Sequence, residues 1–144
     1  MKNFLEKHKH HELPIDIESI VSKLWLNIEY FNFGKINGFI SWNTIVINNT
    51  LSLAEQRFTL AHELWHYVDW EIWASTGIFA CTDYKEKKAD SFAMDILCPT
   101  QQVKELWDEY QNIPTLVQFL CVPESIIIKK LKLIYPWDEN YYLL

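Results

Sequence analysis

The sequence predicts an α+β domain in which a small β-sheet packs on one central helix and further helices complete the C-terminal half. Three observations carry this expectation. Residues Leu53 to about Trp73 form a long run that is apolar on several sides, at Leu53, Phe58, Leu60, Ala61, Leu64, Trp65 and Val68. That is the pattern of a centrally buried helix. Ahead of it lie three short runs of branched and aromatic residues, the composition of strands. After it come amphipathic stretches punctuated by Pro99, Pro114 and Pro123, and proline biases the residue before it out of the helix.

Composition bounds the rest. A chain of 144 residues fits one domain, 1–144. Hydrophobic residues make up 49%, with seven Trp, seven Tyr and eight Phe, so a core can be built. Residues 1–11 lack the apolar segment of a signal peptide. No run approaches the roughly 18 apolar residues of a membrane span. Cys81, Cys98 and Cys121 form no C-x-x-C pair and are odd in number. Free thiols suit a reducing compartment, so a cytoplasmic location is expected. The net charge is −6 and Arg57 is the only arginine, which disfavours nucleic acid as a partner.

Taken in order, residues 1–12 read as a polar, mobile tail. Its His8, His10, His11 and Glu12 resemble a metal cluster in composition, but nothing apolar around them would fix one. Ile17, Ile20, Val21 and Leu24 recur at helical spacing, predicting a helix from Pro14 to about Trp25. Strands are expected at Asn27–Phe31, Gly38–Trp42 and Thr44–Asn48, with turns at Gly34 and Ile36-Asn37-Gly38. Trp42-Asn43 turns the last two into a hairpin. An exposed edge of such a sheet can bind an extended peptide by strand addition. Ser52 and Glu55 form a capping box at the start of the central helix. Residues 72–84 read as a loop around Gly77. A second helix is expected from Glu86 to Leu97, and a third from Gln101 to about Tyr110, capped by Thr100. Two more, Pro114–Leu120 and Pro123–Ile134, flank a short turn at Cys121-Val122. Ile126, Ile127 and Ile128 are expected in the core. The aromatic tail from Trp137 to Leu144 docks on the domain or on a partner.

The chemistry concentrates at His62-Glu63-Leu64-Trp65-His66, an H-E-x-x-H inside the central helix. Residues four apart lie on one helix face, so the two imidazoles can bind one metal ion. Glu63 projects near the same edge, where it can reach a water on that ion. Two nitrogen ligands, an open coordination position and a carboxylate base are what a zinc hydrolase needs.

A third ligand is sought on the second helix. Its apolar stripe runs through Ala89, Phe92, Ala93, Ile96 and Leu97, and Glu86 extends that stripe by one step. A carboxylate there is costly unless paired, hydrogen-bonded or bound to a metal. Asp90 is one turn on, placed to accept a hydrogen bond from the free ring nitrogen of a ligating His. Acids at a helix N-terminus also serve simply to complement the dipole.

The stretch Arg57-Phe58-Thr59-Leu60-Ala61-His62-Glu63-Leu64-Trp65-His66 resembles the ImmA/IrrE-type metallopeptidases, as do Glu86, Ala89, Asp90, Phe92, Ala93, Leu97 and Pro99 further on. Pro14 to Glu18 and Gly38-Phe39-Ile40 are similar to that family's opening helix and hairpin. Trp65 stands where the family usually has Gly, and Cys98 where it often has Met. The resemblance implies a compact zincin-type domain with Zn²⁺ held by His62, His66 and Glu86, Glu63 as catalytic base and Asp90 orienting a ligand His. It also implies that residues 112–135 form a helix-turn-helix-like part. The implied substrate is a helix-turn-helix repressor, often encoded beside the peptidase on phage or other mobile elements, whose cleavage relieves repression. The competing expectation is a metal-containing module that binds a regulator without cutting it. Such a site usually also needs an oxyanion-stabilising donor; Tyr67 and Tyr84 are near in sequence, and the sequence places neither hydroxyl.

Overall fold

The structure, a computed structural model, describes residues 13–74 and 83–138, with backbone alone for 70–74. The His8–Glu12 cluster, the centre of the expected loop with Gly77 and Cys81, and the tail beyond Asp138 lie outside the described residues. What is described is α+β: six helices and a three-stranded sheet.

The first helix, α1, runs Ile17–Lys23, shorter than the Pro14 start predicted. The reason is the cap: Asp16 accepts hydrogen bonds from the Ser19 backbone N–H at 2.9 Å and the Ser19 hydroxyl at 2.6 Å. Those bonds fix Asp16 outside the helix. Strands β1 (Asn27–Phe31), β2 (Gly38–Ser41) and β3 (Thr44–Asn48) follow. Their order is β1-β3-β2. β2 and β3 form the expected antiparallel hairpin, with Trp42 left-handed at the turn (φ 53°). β1 instead pairs parallel to β3, Ile28 beside Ile45 and Tyr30 beside Ile47.

Alternation along β3 sends Ile45 and Ile47, both fully buried, into the main core cluster. Gly38, where the expected turn meets the expected strand, opens β2. A Cβ there would sit 2.7 Å from Thr59 Cγ2 and 3.0 Å from the Val46 carbonyl. Only glycine lets β2 lie this close over the central helix. The Asn48 side chain, 2% exposed, ties the loop before β2 by donating to the Gly34 and Ile36 carbonyls at 2.9 and 3.0 Å.

That central helix, α2, spans Leu53–Ala74. The capping box forms: Glu55 accepts from the Ser52 N–H at 2.9 Å, and the Ser52 hydroxyl accepts from the Glu55 N–H at 3.2 Å. The helix continues through residues 72–74, where a loop was expected. Leu60, Ala61 and Leu64 are at most 1% exposed. The next helix, α3, spans Asp83–Leu97 and so begins three residues ahead of Glu86. It is the principal helical neighbour of α2.

Helices α4 (Thr100–Tyr110), α5 (Ile113–Leu120) and α6 (Glu124–Ile134) extend the same core through Val103, Trp107, Leu116, Leu120, Ile127 and Leu131. Thr100 lies inside α4 and Pro99 takes the cap position, with no side-chain cap bond. Asn112 caps α5, and left-handed Cys121 (φ 49°) ends it. Of the three consecutive isoleucines only Ile127 is fully buried; Ile126 and Ile128 are half-buried. Successive helical residues point about 100° apart, so three in a row cannot all face one core. Trp137 is 94% exposed and does not dock on the described domain.

Arg57, 6% exposed, joins three parts of the chain. From α2 its guanidinium donates to the Ile15 carbonyl at 2.6 Å and the Cys121 carbonyl at 3.2 Å, and it pairs with Glu18 at 3.6 Å. The chain's one arginine is therefore a structural brace.

Candidate metal centre

α2 and α3 bring together the four ligand and ligand-orienting residues expected from the sequence, His62, His66, Glu86 and Asp90. His62 and His66, one turn apart on α2, place their Nε2 atoms 3.1 Å from each other. From α3, Glu86 Oε2 lies 3.1 Å from His62 Nε2, and Glu86 Oε1 lies 3.1 Å from His66 Nε2. Asp90, one turn along from Glu86, accepts from His62 Nδ1 at 2.8 Å. The imidazoles are sheltered, with side chains 14% and 20% exposed, while those of Glu86 and Asp90 are 46% and 47% exposed. Glu86 thus sits at the rim of the site rather than inside the buried stripe.

The donor chemistry decides what fits. A carboxylate accepts, so His62 donates through Nδ1, and in the neutral ring its Nε2 then presents a lone pair. That lone pair faces a carboxylate oxygen and the Nε2 of His66. Three acceptors meeting with at most one proton among them repel one another unless a cation sits between. Ligand atoms 2.0–2.1 Å from a tetrahedral ion lie about 3.3 Å apart, close to the 3.1 Å separations here. His62, His66 and Glu86 fit a divalent metal ion, and one ligand atom from each lies within 4.8 Å of the others.

Burial tunes the groups around this point. Burial lowers the pKa of His66, His62 adding to the effect while Glu86 and Asp69 oppose it. The neutral imidazole that results is the form that ligates. Glu63 is 9% exposed. Burial raises its pKa, opposed by His62 and reinforced by Glu86, so its carboxylate is held as an avid proton acceptor.

Neighbouring residues complete the picture. The Trp65 ring meets the His66 ring edge-on, centroids 5.3 Å apart and planes at 72°. It walls one side of the centre. Tyr67 packs against the main core, and Tyr84 is 66% exposed at the start of α3 with Lys88 over its ring. One contact escaped the sequence reading. Lys85 Nζ pairs with Asp69 at 2.9 Å, clamping the start of α3 to α2 beside the centre. Its signal was present: Asp69 is seven residues past His62 and three past His66, on their face.

Residues 27–132 match the peptidase M78 family, described as the IrrE N-terminal-like domain. The chain belongs to this family. The match runs from β1 into α6 and includes both walls of the centre, so the family is one of metallopeptidase type with a metal-competent site in this chain. No curated protein matches the chain. Among solved structures, a Mycobacterium tuberculosis transcriptional regulator aligns with a TM-score of 0.61 and 11% identity. The alignment covers 81% of this chain and 40% of that one, so the likeness is one of fold with part of a longer protein. No helix among the described residues is long and apolar enough to cross a membrane.

Proposed function

We propose that this M78 chain is a cytoplasmic zinc-dependent endopeptidase that cleaves a helix-turn-helix repressor and thereby relieves repression. The observation that carries the reading is the convergence of His62, His66 and Glu86 beside buried Glu63. Two nitrogens and one carboxylate oxygen, with a coordination position left open, favour zinc. A metal held there supplies Lewis-acid chemistry, acidifying water and polarising a carbonyl oxygen.

The chain's own residues do the remaining work. Glu63 takes the proton from the attacking water and passes it to the leaving amine; its raised pKa suits both transfers. Asp90 fixes the His62 tautomer so that Nε2 is the ligating nitrogen. The Lys85–Asp69 pair keeps Glu86 in reach of both imidazoles. β2 is an edge strand, and its open side accepts an extended segment of substrate by strand addition. The single domain, 1–144, includes α5 and α6 as its helix-turn-helix-like part, which holds a protein rather than reading DNA. Arg57 is consumed inside the fold, and Lys130 is paired with Asp95 at 2.9 Å.

Family membership, and a fold neighbour titled a transcriptional regulator, support a regulatory substrate. The test is incubation with the helix-turn-helix regulator encoded by the neighbouring gene, with and without chelator. A chelator-sensitive cut is expected. Glu63→Gln should retain the metal and lose about 10²- to 10⁴-fold in rate. A Glu63→Gln protein that still cuts removes the base from the scheme. Stable co-purification with no cut replaces the peptidase by a non-cleaving, metal-containing regulator-binding module.

A further inference from the structure

We propose that the groove between α3 and α6 is a docking site for an acidic amphipathic helix of a partner protein. The groove has a volume of about 320 Å³. Met94 of α3 and Ile126 and Leu133 of α6 supply its apolar surface; Lys87, Lys129 and Lys132 supply its basic rim. Its walls are held relative to one another by the ion pair between Lys130 of α6, 4% exposed, and Asp95 of α3.

Charge selects the occupant. The chain carries 19 acidic against 13 basic residues. Among the described residues that line this groove the balance reverses: Lys87 and Lys129, with Lys132 beside them, face a single acid, Asp90. Asp90 Oδ1 is moreover engaged by His62 Nδ1. Shape selects the class. Lys87 to Met94 spans about 10 Å at 1.5 Å per residue, two helical turns. Leu133, 67% exposed, leaves an apolar anchor point in solvent. Two facing helical walls with an apolar floor and a charged rim are the receptor half of helix-in-groove recognition. The matching helix carries Leu, Ile or Met at i, i+3 or i+4 and i+7, flanked by Asp and Glu. Because Asp90 lines the groove and also holds His62, the seated helix lies one side chain from the metal centre. The inference goes beyond the peptidase reading and does not depend on it, because binding is read without cleavage.

The experiment uses the full chain and three fluorescein-labelled 18-residue helical peptides: an acidic amphipathic one, the same composition scrambled, and a basic amphipathic one. Fluorescence anisotropy should show the acidic amphipathic peptide binding at least about tenfold tighter than either control, and less tightly as salt rises. Lys129→Glu with Lys132→Glu should weaken it by about tenfold or more, and Leu133→Asn should weaken it while leaving its salt dependence unchanged. Lys104→Glu, at an exposed position on α4, should leave it unchanged. Circular dichroism on each variant establishes that the fold is intact. Equal binding of the scrambled peptide would mean charge attraction alone and would overturn the proposal. So would charge-reversed, folded protein that binds as well as the parent.

Discussion

α2 and α3 furnish one centre from opposite circumstances. α2 is packed against the sheet on one side and helices on others, and its two imidazoles are held by the burial of the helix itself. α3 is amphipathic, and its two carboxylates stand half in solvent. The imidazoles are positioned by the fold, whereas the carboxylates are positioned by what they touch: Glu86 by both histidines, Asp90 by His62, and the helix start by the Lys85–Asp69 pair. Substitutions on α2 therefore test folding, and substitutions at the exposed end of α3 test the metal.

The largest effect is expected on the α2 side. Leu64 sits between Glu63 and Trp65 and is 1% exposed. Leu64→Ala should cost about 2–5 kcal/mol in urea unfolding of metal-free protein, and metal binding should fail only as the fold does. On the α3 side the order reverses. Glu86→Gln should change metal-free stability by no more than about 0.5 kcal/mol. Its zinc affinity should nonetheless fall by more than the roughly 10- to 100-fold expected for Asp90→Asn, which only releases His62 from its tautomer. Added zinc should restore part of the activity of both. Competition against a chromogenic chelator measures these affinities. Unchanged affinity in Glu86→Gln would move the third ligand to Asp83 or Asp90 and end the contrast.

The smallest effect sharpens the contrast within α3. Its C-terminal end is sealed: Cys98, immediately after the helix, is fully buried and its thiol is pushed up to about 12, chiefly by burial. At pH 8 only about one molecule in ten thousand carries that thiolate. Iodoacetamide should leave Cys98 unmodified in native protein and label it after unfolding, as read by peptide mass spectrometry. Labelling of native protein at the rate of a free thiol would show that the C-terminal end of α3 is open rather than sealed.

The same division explains what could be read in advance. Much that is governed by local spacing was legible: the Ser52/Glu55 box, the four-residue step from His62 to His66, and the Glu86-to-Asp90 step that sets both acids on one edge. Pairings between distant segments were not. Nothing in β1 announces that it runs parallel to β3 with β2 on the far side, because a five-residue strand carries the same alternation in either direction. That Gly38 must be glycine was not legible, because the neighbour that requires it, Thr59, lies 21 residues on. α2 ends within a residue of the expected Trp73, whereas α3 starts three residues ahead of Glu86, inside the stretch expected as a loop. The position of Arg57 was marked by the motif, yet its partners at Ile15 and Cys121 are 42 and 64 residues away.

That brace has a practical meaning for anyone trimming the gene. A guanidinium 6% exposed cannot lose its acceptors without being left charged and poorly solvated in the interior. Excising residues 112–144 would remove the Cys121 carbonyl, and starting the chain after Ile15 would remove the other. Neither cut peels away an appendage. Tags, fusion partners and surface anchors belong outside residues 13–135, so that the Ile15 and Cys121 carbonyls stay in place around Arg57.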